Sequence, residues 1–237
     1  MQVERVASGD HIVAVMGPPG SGKSTFIATA SGKGHGAIGH GLRAVSSDIQ
    51  IVKTNHPADH HSVVFLDTPS FDASSNSGVD ILCQIADWLK SHGENSNLAA
   101  IIYLHPISDN RMSGSLLRNL HIFASLCGQQ AMPHVTIVTT MWGEVPEETG
   151  ARREKELEKV FWGDMVGNGC KTKRFEDTFK SAWGIVGKNP GTALRFQEGL
   201  GDISNALGNT EPYDPRKDGF SNWITMFKEA VRKALLR

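Results

Sequence analysis

No stretch of this 237-residue sequence approaches the roughly 20 consecutive apolar residues that span a bilayer. The amino-terminal run "MQVERVASGDHIVAVMG" sets its charges before a very short apolar segment and lacks a signal-cleavage pattern, so a soluble, cytoplasmic protein is expected. An excess of charge of one sign is also missing. A net charge of −1 provides no basic face, which argues against nucleic acid as a partner. Cysteine is scarce: Cys83, Cys127 and Cys170 are far apart, odd in number and in no C-x-x-C spacing. That pattern argues against a disulfide framework or a zinc site, and each is expected to be a small buried hydrophobe in a reducing compartment. Internal repeats and low-complexity tracts are absent. What remains is a chain with 39% hydrophobic residues, enough for one large core. A single domain over residues 1–237 is expected, with 190–237 a loop-plus-helix extension.

Strand-like and helix-like patterns alternate along the first three quarters of the chain. "HIVAVMG", from His11, is a short apolar, β-branched run ending in glycine, as expected of a buried strand. Lys23 to Ala30 then reads as helix. "DIQIVK" and "HSVVFLD" flank the turn residues "TNHPADH" and predict a hairpin whose second strand ends on Asp67. Leu82, Ile85, Ala86 and Leu89 recur at helical spacing within Val79 to Lys90, and Leu116, Leu120, Phe123 and Cys127 do so within Ser115 to Cys127. "LAAIIYLHPI" and "HVTIVTT" read as buried strands. Beyond them the pattern predicts an exposed helix over Pro146 to Trp162, a last strand at "GCKTKRF", a helix over Asp177 to Gly187 and an amphipathic helix at the carboxyl end. The alternation implies an α/β fold with three layers: a mainly parallel central sheet with helices on both faces and ligands beyond the strand ends.

"GPPGSGKST", Gly17 to Thr25, fits G-x-x-x-x-G-K-[ST] between a predicted strand and a predicted helix, the context that makes the pattern a phosphate site. Gly17, Pro19, Gly20, Ser21, Gly22, Lys23, Ser24 and Thr25 are therefore the candidate nucleotide-binding residues. Glycines let successive N–H groups point at phosphate oxygens, and the helix amino terminus adds partial positive charge. Lys23 would reach the β- and γ-phosphates and Ser24 would supply a hydroxyl to Mg²⁺. "VVFLDTPSFD" places Asp67 at a strand end, where a carboxylate holds Mg²⁺ through its water shell.

With Asp-Thr-Pro following the strand, the sequence resembles the TRAFAC class of P-loop GTPases, within it the septin, chloroplast-import-receptor and immunity-associated (GIMAP) branch. The resemblance spans about Val3 to Phe175 as an ordered set of motifs, the first two specific. It implies a G-domain fold, Mg²⁺ and GTP/GDP as cofactors, and a homodimer across the nucleotide site. It also implies a first-switch hydroxyl on Mg²⁺ and the γ-phosphate. Ser46 matches best by order, with Ser47 beside it, although both also read as polar residues preceding a strand. The class writes Asp-x-x-Gly at the second switch, and Ser70 stands at the glycine, keeping its N–H without glycine's access to positive φ. Phe71 stands where Ras-like enzymes carry the water-orienting glutamine, a task phenylalanine cannot perform. Arg43, His35, His40 and His61 are candidate substitutes, each also readable as a solvated loop side chain.

The class then reads guanine with Asn-Lys-x-Asp, and "IVTTMWGEV" occupies that place with Thr139, Thr140, Met141 and Trp142. Trp142 has no acceptor for the base N1–H, so discrimination is expected to be relaxed or shifted toward ATP/ADP. Thr140 would offer a hydroxyl, as would Thr139; Trp142 would either stack on a purine or close the sheet edge. "SAW" at Ser181 falls inside a predicted helix and is a poor match to the fifth motif. His56, His60 and His61 lie in the predicted hairpin turn without a fourth ligand at familiar spacing and read as solvated loop residues. The terminal helix, with Trp223, Ile224, Phe227, Val231 and Leu235 on one face, reads as packing on the sheet; membrane contact is the less favoured reading. Arg111 lies in a loop that the resemblance places close to dimer contacts. Mg²⁺-dependent nucleoside triphosphate hydrolysis is thus the expected function. A nucleotide-loaded interaction module with little hydrolysis is the alternative, and a small-molecule kinase is a third.

Overall fold

The computed structural model describes residues 6–7, 9–33, 49–70, 81, 84–85, 88, 97–110 and 132–187. Six strands, β1 (His11–Met16), β2 (Gln50–Asn55), β3 (Ser62–Asp67), β4 (Asn97–Pro106), β5 (Val135–Thr140) and β6 (Lys171–Arg174), form one sheet in the order β2-β3-β1-β4-β5-β6. All neighbours run parallel except β2, which returns on β3 as the antiparallel arm of a hairpin. The described helices are α1 (Lys23–Ser31), α2 (Glu147–Glu156), α3 (Gly163–Gly167) and α4 (Phe179–Val186).

The unbroken apolar run of β1 follows from burial on both faces. Ile12, Ala14 and Met16 point into one core with Leu66, Ile101 and Ile137, closed by Ile81, Ile85, Leu157, Trp162 and Met165. Val13 and Val15 point into the other with Phe65, Leu104 and Val138, closed by Phe26 and Ile27 of α1 and by Ala182 and Trp183 of α4. The sheet is thereby the middle of three layers, as its alternation with helices predicts. No helix among the described residues is long and apolar enough to cross a membrane.

Two elements differ from expectation. The exposed helix over Pro146 to Trp162 ends at Glu156 and widens into a π-turn, Leu157–Phe161. The wider turn rotates the chain, and Trp162 becomes fully buried in the core rather than the last residue of a solvated face. The helix expected from Asp177 begins at Phe179 instead. Asp177 is left-handed (φ 52°), and Thr178 caps the helix in a reciprocal capping box with Ser181. The expected helix at Ser115 to Cys127 and the terminal helix lie outside the described residues, as do Leu82, Ala86 and Leu89.

Candidate functional site

The loop from β1 to α1 wraps over the carboxyl end of the sheet. A Cβ on Gly17 would lie 2.6 Å from the Leu104 carbonyl oxygen and 2.7 Å from Ser21 Oγ, so only glycine lets the backbone pass this close to β4. Gly22 (φ 87°) turns the chain into α1, whose amino terminus has no side-chain cap. Pro19 and Gly20 are exposed at its crest, Thr25 is half-buried in the first helical turn, and Ser21 is wholly buried. Ser21 Oγ has no hydrogen-bond partner among the described residues.

Lys23 is buried at the floor of this loop. Its ammonium donates to the Gly17 carbonyl (3.1 Å), the Pro18 carbonyl (3.3 Å) and Ser70 Oγ (2.8 Å), which uses all three of its donors. Desolvation lowers its pKa from 10.5 to about 8, and the nearby Asp67 carboxylate works against that shift. Ser24 Oγ donates to Asp67 Oδ2 at 2.8 Å. Parallel pairing brings this about, because the register sets Asp67 beside Val15 at the end of β1. Thr68, which the motif reading passed over, fastens the following turn: its hydroxyl donates to the Val15 carbonyl at 2.9 Å.

This donor set suits a magnesium-bound triphosphate. Ser24 and Asp67 bring two hard oxygens together, Lys23 brings a cation, and the loop brings backbone N–H groups, while Ser21 adds an unsatisfied hydroxyl beneath. Of the remaining candidates, Ser46, Ser47, Arg43, His35, His40, Phe71 and Arg111 lie outside the described residues. His61 does not sit near the loop from β1 to α1. It precedes β3, whose other end carries Asp67, and so belongs to the opposite end of the sheet.

The segment expected to meet the base is committed to the chain's own packing. Thr140 Oγ1 donates to the Ser21 carbonyl at 2.9 Å, tying β5 to the phosphate loop. Thr139 Oγ1 accepts from Trp142 Nε1 at 3.0 Å. The Trp142 ring lies 3.9 Å from the Arg174 guanidinium and against Gly150 of α2. Arg174 in turn binds Glu154 through Nε (2.9 and 3.0 Å) and Glu147 through Nη1 (2.8 Å). Trp183 of "SAW" is buried in the core, inside α4 as its spacing predicts.

Three carboxylates that no sequence motif marks follow the parallel strands: Asp109 after β4, Glu144 after β5 and Asp177 after β6. Partial burial and then the charge of Glu144 raise the pKa of Asp177. Burial also raises that of Asp109, with Arg153 opposing and Glu144 assisting. Their common signal is a place a few residues beyond a parallel strand, where ligands of such sheets bind.

A glycine-rich phosphate loop between β1 and α1, a magnesium-type carboxylate ending β3 and this strand order define the fold of the P-loop GTPases. No protein-family profile matches the chain, and no curated protein matches it. Among solved structures it is similar to Toc33 from Arabidopsis thaliana in complex with GDP and Mg²⁺, with a TM-score of 0.52 and 14% identity over 95% of this chain and 85% of that one. A dimerization-deficient Toc33 mutant gives a TM-score of 0.51 at 14% identity and the same coverage. Era from Aquifex aeolicus, bound to GDP and AlF₄⁻, gives 0.50 at 15% identity over 87% of this chain and 70% of that one.

Proposed function

We propose that the protein binds a magnesium-complexed nucleoside triphosphate along Gly17–Thr25 and hydrolyses its γ-phosphate in the manner of a GTPase. The observation that carries this reading is the meeting of Lys23, Ser24 and Asp67 under one loop, with Ser24 Oγ 2.8 Å from Asp67 Oδ2. Mg²⁺, when bound, would neutralise charge on the β- and γ-oxygens. Lys23 would exchange its bond to Ser70 for a phosphate oxygen, and Ser24 would turn its hydroxyl lone pair outward as Asp67 takes water. Release of Ser70 from Lys23 links the second switch to the γ-phosphate. Phe71 leaves the attacking water without a glutamine. Arg43 and Ser46 are the residues proposed to complete the site, with a second copy of the chain across the nucleotide. A dimerization-deficient mutant exists of Toc33, to which this chain is similar, and that supports pairing of two copies.

Base selection is proposed to be relaxed, or shifted toward adenine, because Trp142 offers no acceptor. The test is calorimetric titration with GTP, ATP and their diphosphates, each with Mg²⁺. Triphosphate binding is expected in the native chain and lost in Lys23→Ala; unaltered hydrolysis by that variant would remove the assignment. Guanine preference of about a hundredfold or more would instead assign the base to another carboxylate, Asp177 or Glu144 first. The Ser70–Lys23 bond also favours a second reading, a module that assembles when loaded and hydrolyses little. Tight binding without phosphate release at any protein concentration would select it.

A further inference from the structure

The turn between β2 and β3 lies at the opposite end of the sheet from the phosphate loop, about 20 Å away along six residues of β3. Of its three histidines, expected as solvated loop residues, His60 is exposed, but His56 is buried and His61 half-buried. His56 is only 3% exposed, and Asp59 supplies the further ligand that sequence spacing did not reveal. Asp59 Oδ1 lies 2.9 Å from His56 Nδ1 and 2.5 Å from His61 Nδ1. The two imidazoles stack 4.7 Å apart at 10° with Nδ1 of each near the same carboxylate oxygen, and the half-buried His61 ring would tilt out of the stack for both in-plane lone pairs to meet one ion.

The hydrogen bonds around His56 define its tautomer. The Ala58 N–H donates to Nδ1 at 3.3 Å, and Nε2 lies 3.1 Å from the Gly187 carbonyl, an acceptor that requires a proton on Nε2. Nδ1 is then the ring atom that faces the carboxylate, 2.9 Å from Asp59 Oδ1, and a cation bound there would replace the long contact from the Ala58 N–H. An imidazole whose far N–H is held by a backbone carbonyl is also the arrangement that orients metal-binding histidines. His61 is oriented too, since its ring edge meets His11 at 4.5 Å, and its Nε2 is buried with no partner among the described residues.

We infer that His56 Nδ1, His61 Nδ1 and Asp59 form a site for a first-row transition-metal ion, zinc foremost. Two imidazoles and a carboxylate suit that ion better than magnesium, which prefers an all-oxygen shell. Asp59 is 45% exposed, so its carboxylate is free to retreat from hydrogen-bonding to coordination distance, and the fourth position opens to solvent for water. The bound ion would fasten the hairpin turn to the end of α4, because His56 reaches Gly187 and packs edge-on against Trp183.

The test uses the full chain without an affinity tag, in magnesium-containing buffer, titrated with zinc chloride by calorimetry and with cobalt chloride by visible absorption. One equivalent of zinc, a tetrahedral cobalt spectrum and a zinc-dependent rise in Tm are expected. His61→Ala and Asp59→Asn, both changes on the accessible turn, should each weaken zinc binding by about tenfold or more. Lys23→Ala should bind zinc as the native chain does, so failure of the nucleotide site would not be mistaken for failure of this one. Absence of stoichiometric zinc binding, or equal affinity in the His61 and Asp59 variants, would overturn the inference.

Discussion

Lys23 holds a positive charge where water is excluded, and its three hydrogen bonds do not fully offset the lost hydration. Burial lowers its pKa from 10.5 to about 8. Between those values the unfolded chain binds a proton that the folded chain does not, so Lys23 makes stability rise with pH across that window. A triphosphate bound beside Lys23, as proposed, would favour the ammonium and restore the proton. Binding at about pH 8.5 is therefore expected to take up a fraction of a proton, and less at about pH 7.5. Calorimetry in two buffers of different ionisation enthalpy measures this. Equal heats at the higher pH would contradict a burial-shifted Lys23. Ser70→Ala removes one of the ammonium's three partners without touching the loop, and is expected to tighten triphosphate binding, because no bond to Ser70 needs to be broken.

At the scale of elements, Trp142 shows how a loop residue becomes structural. Its indole bridges the end of β5, the start of α2 and the end of β6 through Thr139, Gly150 and Arg174. Helix propensity alone predicts that Gly150→Ala stabilises α2 by roughly 1 kcal/mol. The packing predicts the reverse. The added methyl would lie 2.6 Å from the Trp142 ring, which the Arg174 guanidinium hinders from moving away. A net loss of about 1–3 kcal/mol is expected, read as a lower denaturation midpoint with a change in tryptophan fluorescence. A stabilised Gly150→Ala protein would mean that Trp142 is not held in this way. The same wedge explains why Trp142 was the least legible of the site residues. Its neighbours lie on different elements, and neither periodicity nor motif spacing reports on a side chain clamped from such distances along the chain.

Across the whole molecule, the proposed phosphate site stands at one end of the sheet and the His56, Asp59 and His61 cluster at the other, with β1 and β3 running between them. If a second copy completes the nucleotide site, the rate of phosphate release per chain should rise with protein concentration and level off as dimers form. A constant rate over a hundredfold range, about two decades, would place all catalytic groups within one chain.

The amino-acid order alone determined the sheet's central strands and the phosphate loop. There the signals are local and agree: an apolar run, glycines at fixed offsets, then a helix beginning on Lys23 and Ser24. Asp67 was legible for the same reason, as the last residue of an apolar strand. The tertiary structure alone decided the partners of these residues. Parallel register set Asp67 against Ser24, Ser70 against Lys23 and the Thr140 hydroxyl against Ser21. It also buried His56 beneath Trp183 and gave its ring nitrogen to Gly187. Strand pairing and helix docking join positions far apart along the chain, and no local pattern encodes which side chains meet once those elements close on one another.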